Sequence, residues 1–417
     1  MKRPILLALQ LSVTAVLLLF LTDCDKNHCS HTYTMYTPVY TTLSKVRANM
    51  KSNPAQALKN PGKMFIYGNY IFVNEPNEGI HIIDNSKPAS PRNIAFINIP
   101  GNLDLAVLGN TLYADSYKDL VAFDITNPLN VAPTQFVNNV FVQSGGYYTY
   151  AGGSTNPDSV FIVTGWIARD TTVPCEHGNV YPVNYYAVAS FDQSANSTPT
   201  GIGGSTARFT ILNNYLYAVT TTDLNIFNLS KPQQPAFENK SFIDYHIETI
   251  YPFKNKLFIG ANNGVYIYDV STPGNPERQT QFLHVRSCDP VVANDDHYAW
   301  STLRTASYCG GSTNELDVID ISQITRTSLV KSYTMTNPEG LSKDGNTLFV
   351  CDTKEGLKIY DASQPDNIQL IKQISGLEPS DVIAWNNVAL VIAKDGLYQF
   401  DYSDLKNIRL LSKIGLN

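Results

Sequence analysis

Five acidic residues recur at one offset along the chain. Asp104, Glu248, Asp289, Glu339 and Asp381 stand 8 or 9 residues before Leu112, Leu257, Tyr298, Leu348 and Ala389, each the first apolar residue of a strand-like run. Carboxylates gathered at one place raise one another's pKa or demand a cation. Such a set suits a metal ion, a cationic group or a polyol, and Arg208, at the matching place in another unit, can neutralise part of it. With His246, Arg286 or Arg304 beside it, the set would also suit a hydrolase or lyase acting on a carbohydrate. Acid–base catalysis, however, needs unlike partners placed asymmetrically, whereas these acids recur alike and no nucleophile motif accompanies them. His28, His31, His81, His284 and His297 share no spacing. Repetition equally suits a structural job, in which each acid accepts backbone N–H groups of its neighbour and locks unit to unit.

The elements that must position these acids are themselves repeated. Apolar stretches ending in Asp, with Ser or Thr two residues on, finish at Asp84, Asp124, Asp192, Asp269, Asp320, Asp361 and Asp401, and Asn228 ends a variant. The successive gaps are 40, 68, 36, 41, 51, 41 and 40 residues, a period that signals an array of like units. In the seventh unit an inner strand near Gly340–Lys343 leads through Asp344-Gly345-Asn346 to a strand Thr347–Asp352. A strand Leu357–Asp361 and an outer strand Ile368–Ile374 follow. Four short strands joined by Gly, Asn and Pro turns are the make-up of a propeller blade. The third strand is apolar on both faces (Ile82 and Ile83, Val318 and Ile319), as a sheet squeezed between two neighbours requires. The Asp that ends it reads as a turn cap, accepting the N–H two residues on.

The stretches LDVID at 316–320, LKIYD at 357–361 and VYIYD at 265–269 resemble the LVIVD repeat of exported bacterial β-propeller proteins. The resemblance extends from about Pro61 to the carboxyl end. It implies an all-β propeller, often a lipoprotein or cell-surface protein, and supplies no assigned chemistry. No Trp-Asp dipeptide occurs, so the chain is unlike WD-type propellers. Eight units predict eight blades; seven is the count if the irregular third unit, 141–200, forms no full blade. Closure then relies on packing of the first blade against the last.

Loops of about ten residues or more in a tight scaffold usually serve recognition. Two insertions of this kind, Ala168–Asn184 and Arg304–Asn314, fall between second and third strands. They emerge on the same face as the turns that enter the inner strands. Trp166, Arg169, Tyr181, Tyr185, Arg304 and Tyr308 are therefore the candidates for binding an envelope protein or glycan. Cys288 and Cys309 belong to one unit of that face, and in an exported protein they are expected to form a disulfide. Cys29 and Cys175 are left as a second pair, Cys351 lies within a strand, and Cys175-Glu176-His177 lacks the further ligands of a metal site.

At the amino terminus Lys2 and Arg3 precede an apolar run from Ile5 to Leu21, the pattern of a secretory signal. The run ends at Leu21-Thr22-Asp23-Cys24, which resembles the lipobox of bacterial lipoproteins and implies a lipid on Cys24. Asp23 departs from that pattern, and an uncleaved anchor helix is the alternative. The reading divides the chain into a signal (1–23), a connecting arm (24–60) with a short helix over Thr42–Lys51, and the propeller (61–417). It places the protein in the envelope, at the outer membrane or cell surface, held to the membrane by its lipid. The chain has 417 residues, 43% of them hydrophobic and 16% charged, and a net charge of −6. That excludes a disordered chain and the basic footprint of a nucleic-acid binder. A binding or scaffold role with no cofactor, or at most a cation at the acidic mouth, is the expectation.

Overall fold

The computed structural model describes residues 30–141, 148–150, 158, 160–174, 202–287, 290–305, 311 and 313–416. It opens with β1 (Ser30–Thr42), helix α1 (Leu43–Ala48) and β2 (Ser52–Pro54). The first unit is β3 (Met64–Tyr67), β4 (Tyr70–Glu75), β5 (Gly79–Asp84) and β6 (Arg92–Asn98); the second is β7 (Leu105–Leu108), β8 (Thr111–Ser116), β9 (Asp119–Asp124) and β10 (Ala132–Val137). The third contributes β11 (Tyr148–Tyr150) and β12 (Val160–Pro174), followed by β13 (Ile202–Gly203). Unit four is β14 (Phe209–Leu212), β15 (Tyr215–Val219), β16 (Asp223–Asn228) and β17 (Ala236–Phe242). Unit five is β18 (Ile247–Phe253), β19 (Lys256–Ala261), β20 (Gly264–Asp269) and β21 (Glu277–Leu283). Unit six is β22 (Val291–Ala293), β23 (Tyr298–Leu303), β24 (Glu315–Asp320) and β25 (Ser328–Thr334). Unit seven is β26 (Leu341–Asp344), β27 (Thr347–Asp352), β28 (Gly356–Asp361) and β29 (Gln369–Ile374). Unit eight is β30 (Pro379–Trp385), β31 (Val388–Ala393), β32 (Gly396–Asp401) and β33 (Arg409–Gly415).

Among the described residues seven units are complete; each is an antiparallel sheet whose strands pair in chain order, and the first is widened by β13 on its inner edge and β2 on its outer edge. These repeated four-stranded sheets are those of a β-propeller-like fold. Their third strands are buried on both faces; Leu120 through Phe123, for example, have no exposed surface. Among the described residues the apolar clusters join successive units. One apolar cluster joins units one, two and four, and others join four to five, five to six, six to seven and seven to eight. A last cluster, with Met64 and Ile71 against Ile383 and Leu390, joins eight to one. Across that last seam the Asn85 and Gln399 amides exchange two hydrogen bonds, at 3.1 and 2.7 Å, and Ser412 Oγ donates to Pro88 O at 2.7 Å.

The repeat's Asp performs the local task its spacing implied. Asp84, Asp124, Asp269, Asp320, Asp361 and Asp401 each accept the backbone N–H two residues on at 2.8–3.0 Å, and Asn228 does the same for Ser230 at 2.9 Å. Arg92 beside Asp84, Lys256 beside Asp269, and Ser403 with Arg409 beside Asp401 hold those three carboxyls down at about 2.

The described part of the third unit pairs differently from the other units. Its second strand, β12, runs for 15 residues and takes β1 as partner along its length, from Ser30↔Pro174 to Thr42↔Phe161. Units two and four then touch directly: Tyr113 Oη donates to Pro232 O at 2.8 Å, and Thr134 Oγ1 to Gln233 O at 3.0 Å. Two further expectations are corrected here. Residues 30–42 are a strand rather than a connecting arm, because the segment is rich in the strand-forming residues Thr, Tyr and Val. Ala168–Pro174 likewise continues β12 instead of opening a loop. Helix α1 is shorter than Thr42–Lys51; Thr42 caps it, accepting from Lys45 N at 3.4 Å. Among the described residues no helix is long and apolar enough to cross a membrane.

Candidate functional site

Two of the acids that enter the inner strands, Asp104 and Asp381, meet one short segment of the chain. Residues 203–207 are buried, and together with Arg208 they contact five different units. Gly203 pairs with Phe65 of β3 in unit one. Ser205 N–H and Oγ both donate to Asp381 Oδ1 of unit eight at 3.2 Å, while Ser205 Oγ accepts from Leu341 N of unit seven at 2.6 Å. Ala207 O accepts from Ile250 N of unit five at 2.8 Å. Arg208 N then donates to Asp104 Oδ2 of unit two at 2.5 Å. A run this short meets inner strands from units one, two, five, seven and eight only where those strands come together. It crosses their common centre on its way into β14.

Asp104 is fully engaged there. Besides Arg208 N, it accepts from its neighbour Leu105 N at 2.7 Å and pairs with Lys63 Nζ at 3.1 Å, the two side chains being 2% (Lys63) and 3% (Asp104) exposed. Its counter-charge is thus Lys63, a residue that opens an apolar inner strand and that the repeat pattern did not single out. Asp381 is equally buried, and the approach is close: a Cβ on Gly340 would lie 2.2 Å from Asp381 Oδ1. Glu339 pairs with Arg304 Nη1 at 2.6 Å, both half-buried. Glu248 is the second residue of β18, also half-buried. Asp289 lies outside the described residues. Among the described residues no three His, Cys, Asp or Glu side chains come together to hold a metal.

A second set of carboxylates, unremarked in the sequence, holds the same turns from the other side. At the ends of second strands, Glu75 accepts from Lys59 N and Asn60 N, Asp115 from Leu103 N and Asp104 N, and Asp352 from Thr336 N and Asn337 N. Burial pushes the Asp115 carboxyl up to about 6, against the pull of those two N–H groups. Each of the three stands nine residues before the Asp that ends its third strand (Asp84, Asp124 and Asp361), but the other units carry no acid at the end of the second strand, which is why a search for a common letter missed them.

Of the predicted loop residues, Trp166 and Arg169 are exposed on β12 and Arg304 follows β23. Tyr181, Tyr185, Tyr308, Cys24, Cys29, Cys175, Cys288 and Cys309 lie outside the described residues. The flanks of the last two nevertheless meet: Ser287 Oγ donates to Arg304 O at 2.8 Å, and a Cβ on Gly311 would stand 3.1 Å from Ser287 Cα. Cys351 is a buried free thiol, its pKa raised by burial.

Sequence reasoning missed the apolar groups on the turns leading into units five and six. Phe242 and Tyr245 meet edge to face at 5.6 Å, and Leu283 and Val285 are exposed on the next turn. Hydrogen bonds tie the two turns together: Asp244 accepts from the Tyr266 hydroxyl and from Asn263 Nδ2, and Asn263 O accepts from His284 N at 3.4 Å. Ser287 and Arg304 continue that line to Glu339.

Three stretches match the LVIVD repeat. They are residues 62–95, 102–133 and 307–335, in units one, two and six. No curated protein matches the chain. Among solved structures, a protein from Lactobacillus plantarum is 12% identical with a TM-score of 0.55, over 86% of this chain and 97% of that one. A functionally unknown protein from Desulfotomaculum acetoxidans is 11% identical with a TM-score of 0.53, over 83% of this chain and 95% of that one. The computationally designed Ika8 protein is 9% identical with a TM-score of 0.51, over 87% and 91%. At such identities the likeness is one of fold alone.

Proposed function

We propose that this chain is an exported, lipid-anchored propeller of seven blades that binds an envelope protein or a glycan and performs no chemistry of its own. The binding surface is the face that carries the turns into the inner strands. One observation carries the reading: on that face Asp104 and Asp381 are spent on the protein's own backbone, while apolar side chains on the turns into units five and six stand in solvent. Asp104 and Asp381 hold residues 205–208, so a carbohydrate hydrolase or lyase would find its acids already occupied. Phe242, Tyr245, Leu283 and Val285 instead offer an exposed apolar strip bordered by Arg304 and Glu339, an arrangement fit for recognition. The direct contact of units two and four and the shared core of units eight and one support seven blades. The Cys288–Cys309 disulfide, whose flanks meet, would brace the loop at the edge of this strip.

A glycan array and a cross-linking screen against isolated envelope proteins test the reading on the intact chain. A ligand that binds the native protein and is lost on Phe242→Ser plus Tyr245→Ser, with thermal unfolding unchanged, is the expected result. Specific turnover on a polysaccharide panel, or binding indifferent to these two substitutions, would refute it.

A further inference from the structure

The stretch between β2 and β3, residues 55–63, crosses the seam where the first unit meets the last. Leu58 is buried there among Met64, Ile71, Ile383 and Leu390, and forms a parallel bridge with Leu416. Side chains of unit one hold this strap on either side of Leu58. Glu75 accepts from Lys59 N and Asn60 N, and Asn93 Nδ2 donates to Gln56 O at 2.6 Å. His81 stands between the two holders, its side chain 1% exposed. Its Nε2 meets Glu75 Oε2 at 2.9 Å, and its Nδ1 meets Asn93 Nδ2 at 3.3 Å.

The same arrangement recurs in unit seven with a different cation. Asp352 accepts from Thr336 N and Asn337 N, and Lys358 Nζ lies 2.6 Å from it. Asp352 and Lys358 stand nine and three residues before Asp361, as Glu75 and His81 do before Asp84. Unit two has Asp115 and, at the place of the cation, Val121. A lysine stays charged and a valine never is, whereas histidine is the side chain that ordinarily changes charge between about pH 5 and 8. Of the elements packed on His81, β4 contributes Glu75, and β6 contributes Asn93 and the Phe96 ring, edge-on at 4.8 Å. Ile83, on the same face of β5, packs with the apolar Ile383, Leu390 and Ile392 of unit eight. The Lys59 ammonium is engaged elsewhere, with Glu78 in solvent at 2.9 Å. Glu75 is therefore the charged group in contact with the imidazole.

Gln56 O can only accept, so the Asn93 amide must present its nitrogen there, and the second N–H of that nitrogen goes to His81 Nδ1. Nδ1 is thus bare, and Nε2–H donates to Glu75. One group is left out: Asn93 Oδ1 is buried and has no hydrogen-bond partner among the described residues, a costly state for an acceptor. A proton on Nδ1 reverses the arrangement. It is a donor facing a donor until the Asn93 amide turns over about its Cβ–Cγ bond, whereupon Oδ1 accepts from Nδ1–H. Gln56 O then faces an oxygen and must turn to water, where Gln56 already stands exposed. Burial opposes the charge on Glu75, but hydrogen bonds from His81, Lys59 N and Asn60 N hold its carboxyl below the ordinary value. It therefore stays ionised and gains a full counter-charge, as Asp352 has in Lys358. We infer that His81 is a proton-operated switch on the strap: acid detaches residues 55–57 from β6, while Glu75 keeps residues 58–60 in the seam.

Hydrogen exchange of the full chain, read by mass spectrometry and corrected for the intrinsic effect of pH, tests the switch. From about pH 8 to about pH 5.5, exchange within 55–57 should rise about tenfold, as the loss of one hydrogen bond allows. Residues 59–60, and 336–337 of unit seven, should keep their protection. His81→Gln, which cannot gain a proton, should flatten the response, and Asn93→Ala should leave 55–57 fast at every pH. If these variants fold poorly, nitrogen NMR spectra of the histidine side chains in the native chain report the same event: one imidazole passes from its Nε2–H form to the cation as 55–57 loosens. Protection of 55–57 that stays flat, or that rises in acid, overturns the inference. Joint loss across 55–60 also overturns it, because the Glu75 hold would then have failed, and so does a response that survives His81→Gln.

Discussion

The pair of Lys63 with Asp104 offers the sharpest test of how the centre of the molecule is held. The charges are 3.1 Å apart and both side chains are almost wholly buried. At an effective dielectric of about 20 their attraction is about 5 kcal/mol, set against the cost of taking both from water. Asp104→Asn keeps an oxygen for Arg208 N or Leu105 N but leaves the Lys63 ammonium buried beside a neutral amide, which costs about 3–5 kcal/mol. Lys63→Met leaves a carboxylate that still accepts two backbone N–H bonds, so its cost is smaller, about 2 kcal/mol. The double variant removes both charges and returns to within about 1–2 kcal/mol of the native chain, as replacement of a whole buried pair generally does. Urea unfolding of the four proteins at one pH, compared at constant slope, reads these differences as midpoint shifts. If Asp104→Asn costs under about 1 kcal/mol, or if the two substitutions simply add, the carboxylate does not clasp the central crossing in the manner described.

Two further outcomes are expected. The Asp115 carboxyl, lifted by burial from the usual 3.8 to about 6, binds a proton in the folded state where the unfolded chain does not. Its contribution is therefore fully present below about pH 4 and fades as pH rises through 6, by about 3 kcal/mol. Asp115→Asn, which keeps the acceptor for Leu103 N and Asp104 N, should gain stability relative to the native chain across that window. A native-minus-variant difference that stays flat from pH 4 to 7 in thermal unfolding would contradict this. Peptide mapping without reductant should recover a Cys288–Cys309 cross-link from the exported protein; alkylation of both thiols under native conditions would exclude it.

What could be read from the residues alone was whatever is local. The Asp-x-Ser/Thr corner is a contact across two residues, and each strand of unit seven lies within a few residues of its expected place because turn chemistry and apolar runs are adjacent in the chain. The structural role weighed for the acids is visible at Asp104, which bonds a neighbour's backbone N–H. What was not legible was made by distance. Asp381 meets Ser205 across 176 positions, and β1 meets β12 across more than a hundred, so no spacing rule could announce either. Lys63 was hidden for another reason: one lysine at the start of an apolar strand reads as a solvated end until its partner from the next unit is known.

The crossing by residues 203–207 also dictates a timetable. Units one and two precede it in the chain, and units five, seven and eight, which grip it through Ile250, Leu341 and Asp381, follow it. A polypeptide delivered amino end first lays down this thread before most of its clasps exist, and the later sheets can assemble round it. Chains refolding all at once from denaturant face the reverse problem, since a circle completed early shuts the thread outside. Vectorial delivery should accordingly give a higher yield of native protein than dilution from urea, and a circular permutant opened within 203–207 should erase that advantage.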